Sequence, residues 1–146
     1  MKMLPGMTVI NPCDFNQTKA ATIAIAKYEG PVYLRFGRPK VANFTNDELG
    51  FKIGKGIILN PGEDVTIVAT GHLVWEALLA AKELESEGIA AEVINIHTIK
   101  PLDEALILES VLKTGAIVTA EEHNYIGGLG ESISGTLSKN HPTPQE

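Results

Sequence analysis

Residues 65–96 read VTIVATGHLVWEALLAAKELESEGIAAEVINI, and this stretch decides the fold. Residues 65–70 form a short apolar, β-branched run bounded by Asp64 and Gly71, which suits a strand. Across residues 72–87, Leu73, Val74, Ala77, Leu78, Ala81 and Leu84 recur at helical spacing, while Glu76, Lys82, Glu83 and Glu85 point elsewhere. Gly88 is a helix stop, and residues 91–96 return to an apolar strand run. A strand, a helix and a second strand in this order predict a right-handed crossover with the two strands parallel.

The alternation continues downstream with a helix over about residues 103–113 ending at Gly115, a strand over 116–120 and a helix over about 130–138. Residues 65–69 and 116–120 are nearly continuous apolar runs, the pattern of strands buried on both faces. The predicted fold is therefore α/β, a three-layer sandwich around a mostly parallel sheet. Residues 51–59 read as a further strand, and Asn60-Pro61-Gly62 would turn it into a hairpin with residues 65–70. Residues 141–146 carry Pro142 and Pro144 and offer no further strand, so the sheet is expected to keep an exposed edge.

Upstream, residues 7–12 read as a short strand, and Asp14 with Gln17 resembles a capping box that opens a helix. Ala20, Ile23, Ala24 and the stem of Lys27 would form its apolar face, Gly30-Pro31 would stop it, and residues 32–36 would follow as a strand. This β-α-β unit precedes a stretch, residues 37–50, without sustained periodicity, where a domain boundary is expected.

With 44% hydrophobic and 21% charged residues, the 146-residue chain has the balance of an ordinary globular protein. Its net charge of −6 argues against a nucleic-acid partner, since no whole-chain cationic footprint exists to neutralise phosphates. Cys13 is the sole cysteine, so no intrachain disulfide forms and a cytoplasmic location is favoured. Pro5 and Gly6 interrupt the apolar stretch a signal peptide needs, and no run approaches the about 20 apolar residues that span a bilayer. Neither export nor a membrane is expected.

In an open parallel sheet, ligands gather beyond the carboxyl ends of the strands. There the sequence places Gly71-His72, His97-Thr98 and Glu121-Glu122-His123, with Gly127-Gly128-Leu129-Gly130 leading into a helix. Imidazoles and a carboxylate at His72, His97, His123 and Glu122 could ligate a divalent metal, but such residues more often cap helices, satisfy loop backbone or meet another subunit. The glycine-rich segment could admit a phosphate to a helix amino terminus. Close backbone packing is favoured, because the dinucleotide fingerprint is absent and Glu131 would repel an anion. Arg35 and Arg38 could each hold a phosphate or carboxylate through a planar guanidinium. Lys100 reads as exposed charge, Trp75 as packing, and Cys13, beside Asp14, as an unreactive thiol.

Four stretches carry a resemblance: PGMTVINPCD at residues 5–14, GPVYLRFGR at 30–38, NIHTIKPLD at 95–103 and EEHNYIGGLG at 121–130. In order and spacing they resemble the carboxyl-terminal sections of transketolases, with the separate carboxyl-terminal subunit of split transketolases the nearest match. Related architectures occur in 1-deoxyxylulose-5-phosphate synthase and in the beta subunits of 2-oxo acid dehydrogenases. The resemblance implies that residues 1–38 are the tail of a pyrimidine-binding domain, 39–50 a linker and 51–146 most of a carboxyl-terminal domain, truncated before its last strand and helix. It implies an enzyme that moves a two-carbon ketol unit between sugar phosphates with thiamine diphosphate and Mg2+. Those groups would be held elsewhere in the complete enzyme, not on this chain, which would be inactive alone. The resemblance also implies an amino-terminal partner subunit or segment, homo-oligomer or dimer contacts through the carboxyl-terminal domain, and a substrate-phosphate contact at Arg38. His97, Glu121, Glu122, His123, Gly127, Gly128 and Gly130 would then be interface or loop residues, with no catalytic, cofactor or metal residue in the chain.

Overall fold

A computed structural model describes residues 1–38 and 40–146; residue 39, the first of the expected linker, lies outside the described residues. The strands are β1 (Thr8–Ile10), β2 (Val32–Leu34), β3 (Ile57–Asn60), β4 (Val65–Ala69), β5 (Ala91–Asn95), β6 (Thr98–Lys100) and β7 (Ile117–Ala120). The helices are α1 (Phe15–Ile25), α2 (Leu73–Ser86), α3 (Glu104–Thr114) and α4 (Leu129–Asn140).

The main sheet has the order β3-β5-β4-β7. β4 pairs in parallel with both β5 and β7, with Ala69 opposite Asn95 on one side and Ala120 on the other. All three strands therefore end at one edge. The period-two alternation of side chains sorts each strand between two apolar layers. Ile67 and Ala69 of β4, with Ala91 and Val93 of β5, pack with Val74, Ala77 and Ala81 of α2. Val68 and Ile94 point the other way, onto Ile107 and Val111 of α3 and Leu129, Ile133 and Leu137 of α4. Each fully buried Ile or Leu side chain contributes about 1.5–3 kcal/mol by leaving water. The predicted three-layer α/β sandwich is thus the observed one.

Four expectations change. β3 does not form a hairpin with β4; it runs antiparallel to β5 on the far edge. Gly62 makes this possible, because the turn passes against the backbone of Ala91 and Glu92, closer than any side chain allows. The outer face of α1 includes Ile23, 52% exposed, and Lys27 is also exposed, whereas Gln17 and Ala21 are the buried residues of the helix. Asp14 and the buried Gln17 turn the helix onto that face. Residues 144–146 do pair: Gln145 bridges Ile117 in parallel, and Thr119 N–H donates to the Glu146 carbonyl at 2.8 Å. The two prolines tolerate this because the bonds are carried by Pro144 and Glu146 carbonyls and the Glu146 N–H. Finally, β6 was not anticipated. It pairs antiparallel with β1, so the small sheet β2-β1-β6 joins the upstream β-α-β unit to the downstream layers.

Candidate functional site

The small sheet lies across the carboxyl edge of the main sheet because β1 and the strand-end turns share hydrogen bonds. Asn11, just past β1, donates its N–H to the His97 carbonyl at 2.8 Å and accepts from Gly71 N–H at 3.3 Å. Gly71 holds φ at +60°, and a Cβ there would sit 2.6 Å from the Asn11 amide, so only glycine lets the turn after β4 close on Asn11. With its amide oriented to satisfy its neighbours, Asn11 donates to the Arg35 carbonyl at 3.0 Å and accepts from the Arg35 guanidinium at 2.9 Å. Arg35 N–H in turn donates to the Ile10 carbonyl at 2.8 Å.

Two clefts flank the loop that follows. One, about 120 Å³, is bounded by Asn11, Arg35, Phe36, Gly37, Gly71, His72 and Glu122. The other, about 350 Å³, lies between Phe15 and Thr18 of α1, the Phe36–Gly37 backbone, Lys40 and His72. His72 belongs to both, and its Nε2 donates to the Glu122 carboxylate at 2.8 Å. Asp14 also faces the larger cleft, but its carboxylate is engaged by four donors: the N–H groups of Gln17, Phe44 and Thr45 and the Thr45 hydroxyl, at 2.6–2.9 Å. This buried cap pins residues 44–45 onto the start of α1. Among the described residues Arg38 and Lys40 make no ion pair. Arg38 is exposed. Lys40 lines the larger cleft and Arg38 follows Gly37 in the chain, so two cations stand beside clefts whose own carboxylates, Asp14 and Glu122, are already hydrogen-bonded, an arrangement that suits an anionic group of a ligand.

The residues considered for a metal part company. His72 and Glu122 meet each other, whereas His97 is fully buried, stacks on Phe51 with ring centroids 4.2 Å apart, and shares a hydrogen bond with the Thr98 hydroxyl at 3.0 Å. Burial pushes the His97 imidazole down to about 4, with the Asp103 carboxylate opposing in part. Its Nε2 has no partner among the described residues. His123 is exposed, with Nδ1 at 2.7 Å from the Asn124 carbonyl. Among the described residues no three His, Cys, Asp or Glu side chains converge as metal ligands.

At the amino terminus of α4 the glycine-rich segment meets an internal carboxylate. Glu121 accepts from Leu129 N–H at 2.5 Å and from Gly130 N–H at 3.2 Å, and Glu131 accepts from Gly127 N–H. A Cβ at Gly128 would run into the Glu121 carboxylate. The helix end that could have received a phosphate thus holds its own anion. Cys13 is buried; desolvation, then the neighbouring Asp14 charge, pushes its thiol well above the usual range. Among the described residues no helix is long and apolar enough to cross a membrane. Sequence reasoning missed Asn11 and the His72–Glu122 contact; both depend on where one strand end falls against another.

A family model described as the transketolase C-terminal domain matches residues 54–146. A protein of Clostridium sp. (strain MSTE9) named 6-deoxy-6-sulfo-D-fructose transketolase subunit is 49% identical over 144 residues, covering 99% of this chain and 45% of that protein. A transketolase C-terminal section of Methanocaldococcus jannaschii is 44% identical over 142 residues, covering 96% of this chain and 44% of the relative. A solved structure titled as the inactive beta4 tetramer of a split gene transketolase superposes with a TM-score of 0.96 at 48% identity, covering 99% of this chain and 48% of that one. The chain spans less than half the length of these relatives.

Proposed function

This chain belongs to the transketolase family, and we propose that it works as the carboxyl-terminal portion of a thiamine-diphosphate-dependent transketolase. Residues 1–38 supply the last β-α-β unit of a pyrimidine-binding domain, residues 39–50 link it, and residues 51–146 form most of the carboxyl-terminal domain. The complete enzyme would transfer a two-carbon ketol unit between sugar phosphates. Thiamine diphosphate with Mg2+ supplies the carbanion chemistry of that reaction when bound. The cofactor and its metal are assigned to an amino-terminal partner subunit or segment.

What this chain contributes in that reading is assembly and a grip on the substrate. Arg38, exposed and without an ion pair among the described residues, directly follows Phe36 and Gly37, which line both clefts, and would hold the sugar phosphate through a charge-assisted, bidentate contact. The observation that carries the partner assignment is the bare outer surface of the upstream unit. β2 is a sheet edge, and Phe15, Ile23 and Phe36 are 71%, 52% and 61% exposed on the same unit. An apolar face of this kind beside an open strand edge calls for a cover. His123, Glu121, Glu122 and the loop at Gly127, Gly128 and Gly130 are assigned to loop structure and contacts between copies, and the fully buried His97 to core packing.

The test is reconstitution. The chain mixed with an amino-terminal transketolase subunit, thiamine diphosphate and Mg2+ should transfer a ketol unit from a ketose phosphate to an aldose phosphate, and neither part should do so alone. Formation of the partner complex without any ketol transfer across the common sugar phosphate pairs would remove the enzymatic assignment.

A further inference from the structure

Arg38 is exposed and makes no ion pair among the described residues, so its own contacts do not place it. The root of its loop, in contrast, is held at Arg35 by Asn11, and the strand-end edge of the main sheet borders the clefts beside it. Asn11 holds both ends of Arg35, its carbonyl at 3.0 Å and its guanidinium at 2.9 Å. Asn11 is itself fixed by the turn after β4, through Gly71 N–H at 3.3 Å and the Thr70 hydroxyl at 3.4 Å on its carbonyl. His72 lines both clefts together with Phe36 and Gly37, and Glu122, from the turn after β7, holds the His72 imidazole at 2.8 Å. Asn11, after β1, and the turn after β4 therefore fix Arg35, three residues before Arg38, while the His72–Glu122 pair, from the turns after β4 and β7, borders the cleft that Phe36 and Gly37 also line.

We propose that Asn11, Arg35 and the His72–Glu122 pair are positioning residues that fix the Phe36–Gly37–Arg38 loop, so that the carboxyl-terminal layers set where the anion-binding arginine stands. The inference rests on the assignment of Arg38 to the substrate phosphate and extends it. A guanidinium that must meet a phosphate with two aligned N–H groups tolerates little displacement, and a loop held at its root presents it in one arrangement. Neither Arg35 nor His72 needs to touch the substrate for this. The arrangement also gives Arg35 a role distinct from that of Arg38, although the two arginines are separated by only two residues.

The test uses the reconstituted complex, with KM and kcat measured for a ketose phosphate and for the same ketose without its phosphate. Glu122→Gln and His72→Phe change partly or largely exposed groups and are expected to fold; Asn11→Ala and Arg35→Met probe the buried Asn11 and the half-buried Arg35 that it holds. Each should raise KM for the phosphorylated ketose, by about threefold to thirtyfold, with kcat within about twofold and the unphosphorylated ketose unaffected. In an Arg38→Ala background the same substitutions should add nothing further, because residues that act through Arg38 lose their effect once it is gone. Equal effects on both ketoses, or full additivity with Arg38→Ala, would overturn the proposal. So would unchanged KM in the Glu122 and His72 variants while Arg38→Ala alone raises it; that result leaves the phosphate contact standing. An Arg38→Ala variant with unchanged KM would instead overturn the phosphate contact itself, and with it the positioning role.

Discussion

His97 gives a pH dependence that can be worked from its surroundings. The ring is fully buried at the end of β5, stacked on Phe51, and burial lowers its proton affinity to about 4 from an ordinary 6.5. The unfolded chain therefore binds a proton below about pH 6.5 that the folded chain refuses until about pH 4. Stability attributable to this residue is complete above 6.5, falls as the pH drops through that window, and levels off below about 4. Between about pH 7 and pH 5 the loss amounts to about 2 kcal/mol, from a shift worth about 1.4 kcal/mol per unit. Urea unfolding of the native chain and of His97→Phe at these two pH values isolates the contribution, since phenylalanine keeps the stacking on Phe51 without a titrating nitrogen. The native chain should lose about 2 kcal/mol more than the variant on acidification. Parallel losses in the two proteins would show that His97 is solvated or paired in the folded state, contrary to its burial.

Gly71→Ala should destabilise the chain by about 1–3 kcal/mol in thermal unfolding, because it places a Cβ at positive φ against the Asn11 amide. Glu121→Ala should lower stability by about 1 kcal/mol in urea titration by uncapping Leu129 and Gly130 at the start of α4; Glu121→Gln, which can still accept, should recover part of it. In the reconstituted complex Arg38→Ala should raise KM for a sugar phosphate by about tenfold to a hundredfold with little change in kcat, as expected when binding is lost equally from ground and transition states.

The layers of the fold were legible because their signal is local. The helical spacing from Leu73 to Leu84 and the apolar runs at residues 65–69 and 116–120 each reflect burial that period alone encodes. What escaped were pairings between distant segments. Residues 51–59 and 65–70 look like a hairpin from their spacing, yet β3 pairs with β5, a choice made by the close approach of Gly62 to β5. β6 is only three residues long, and its partner β1 lies about ninety residues upstream, so no local pattern could announce it. The candidate site divides in the same way. Strand-end logic placed His72 and Glu122 on one edge, but their contact, and the capture of Arg35 by Asn11, exist only once three strand ends are brought together. Glu92 illustrates the limit: a glutamate within an apolar strand, fully buried, is made tolerable by Ser110 and Lys113 of α3.

The most direct test of the central claim, that this chain is one part of an enzyme whose thiamine diphosphate is held by another segment, is calorimetric titration with thiamine diphosphate and Mg2+. The chain alone should give no binding heat, and the same titration with the amino-terminal subunit present should give saturable binding. Tight, saturable binding to the chain alone would contradict the account.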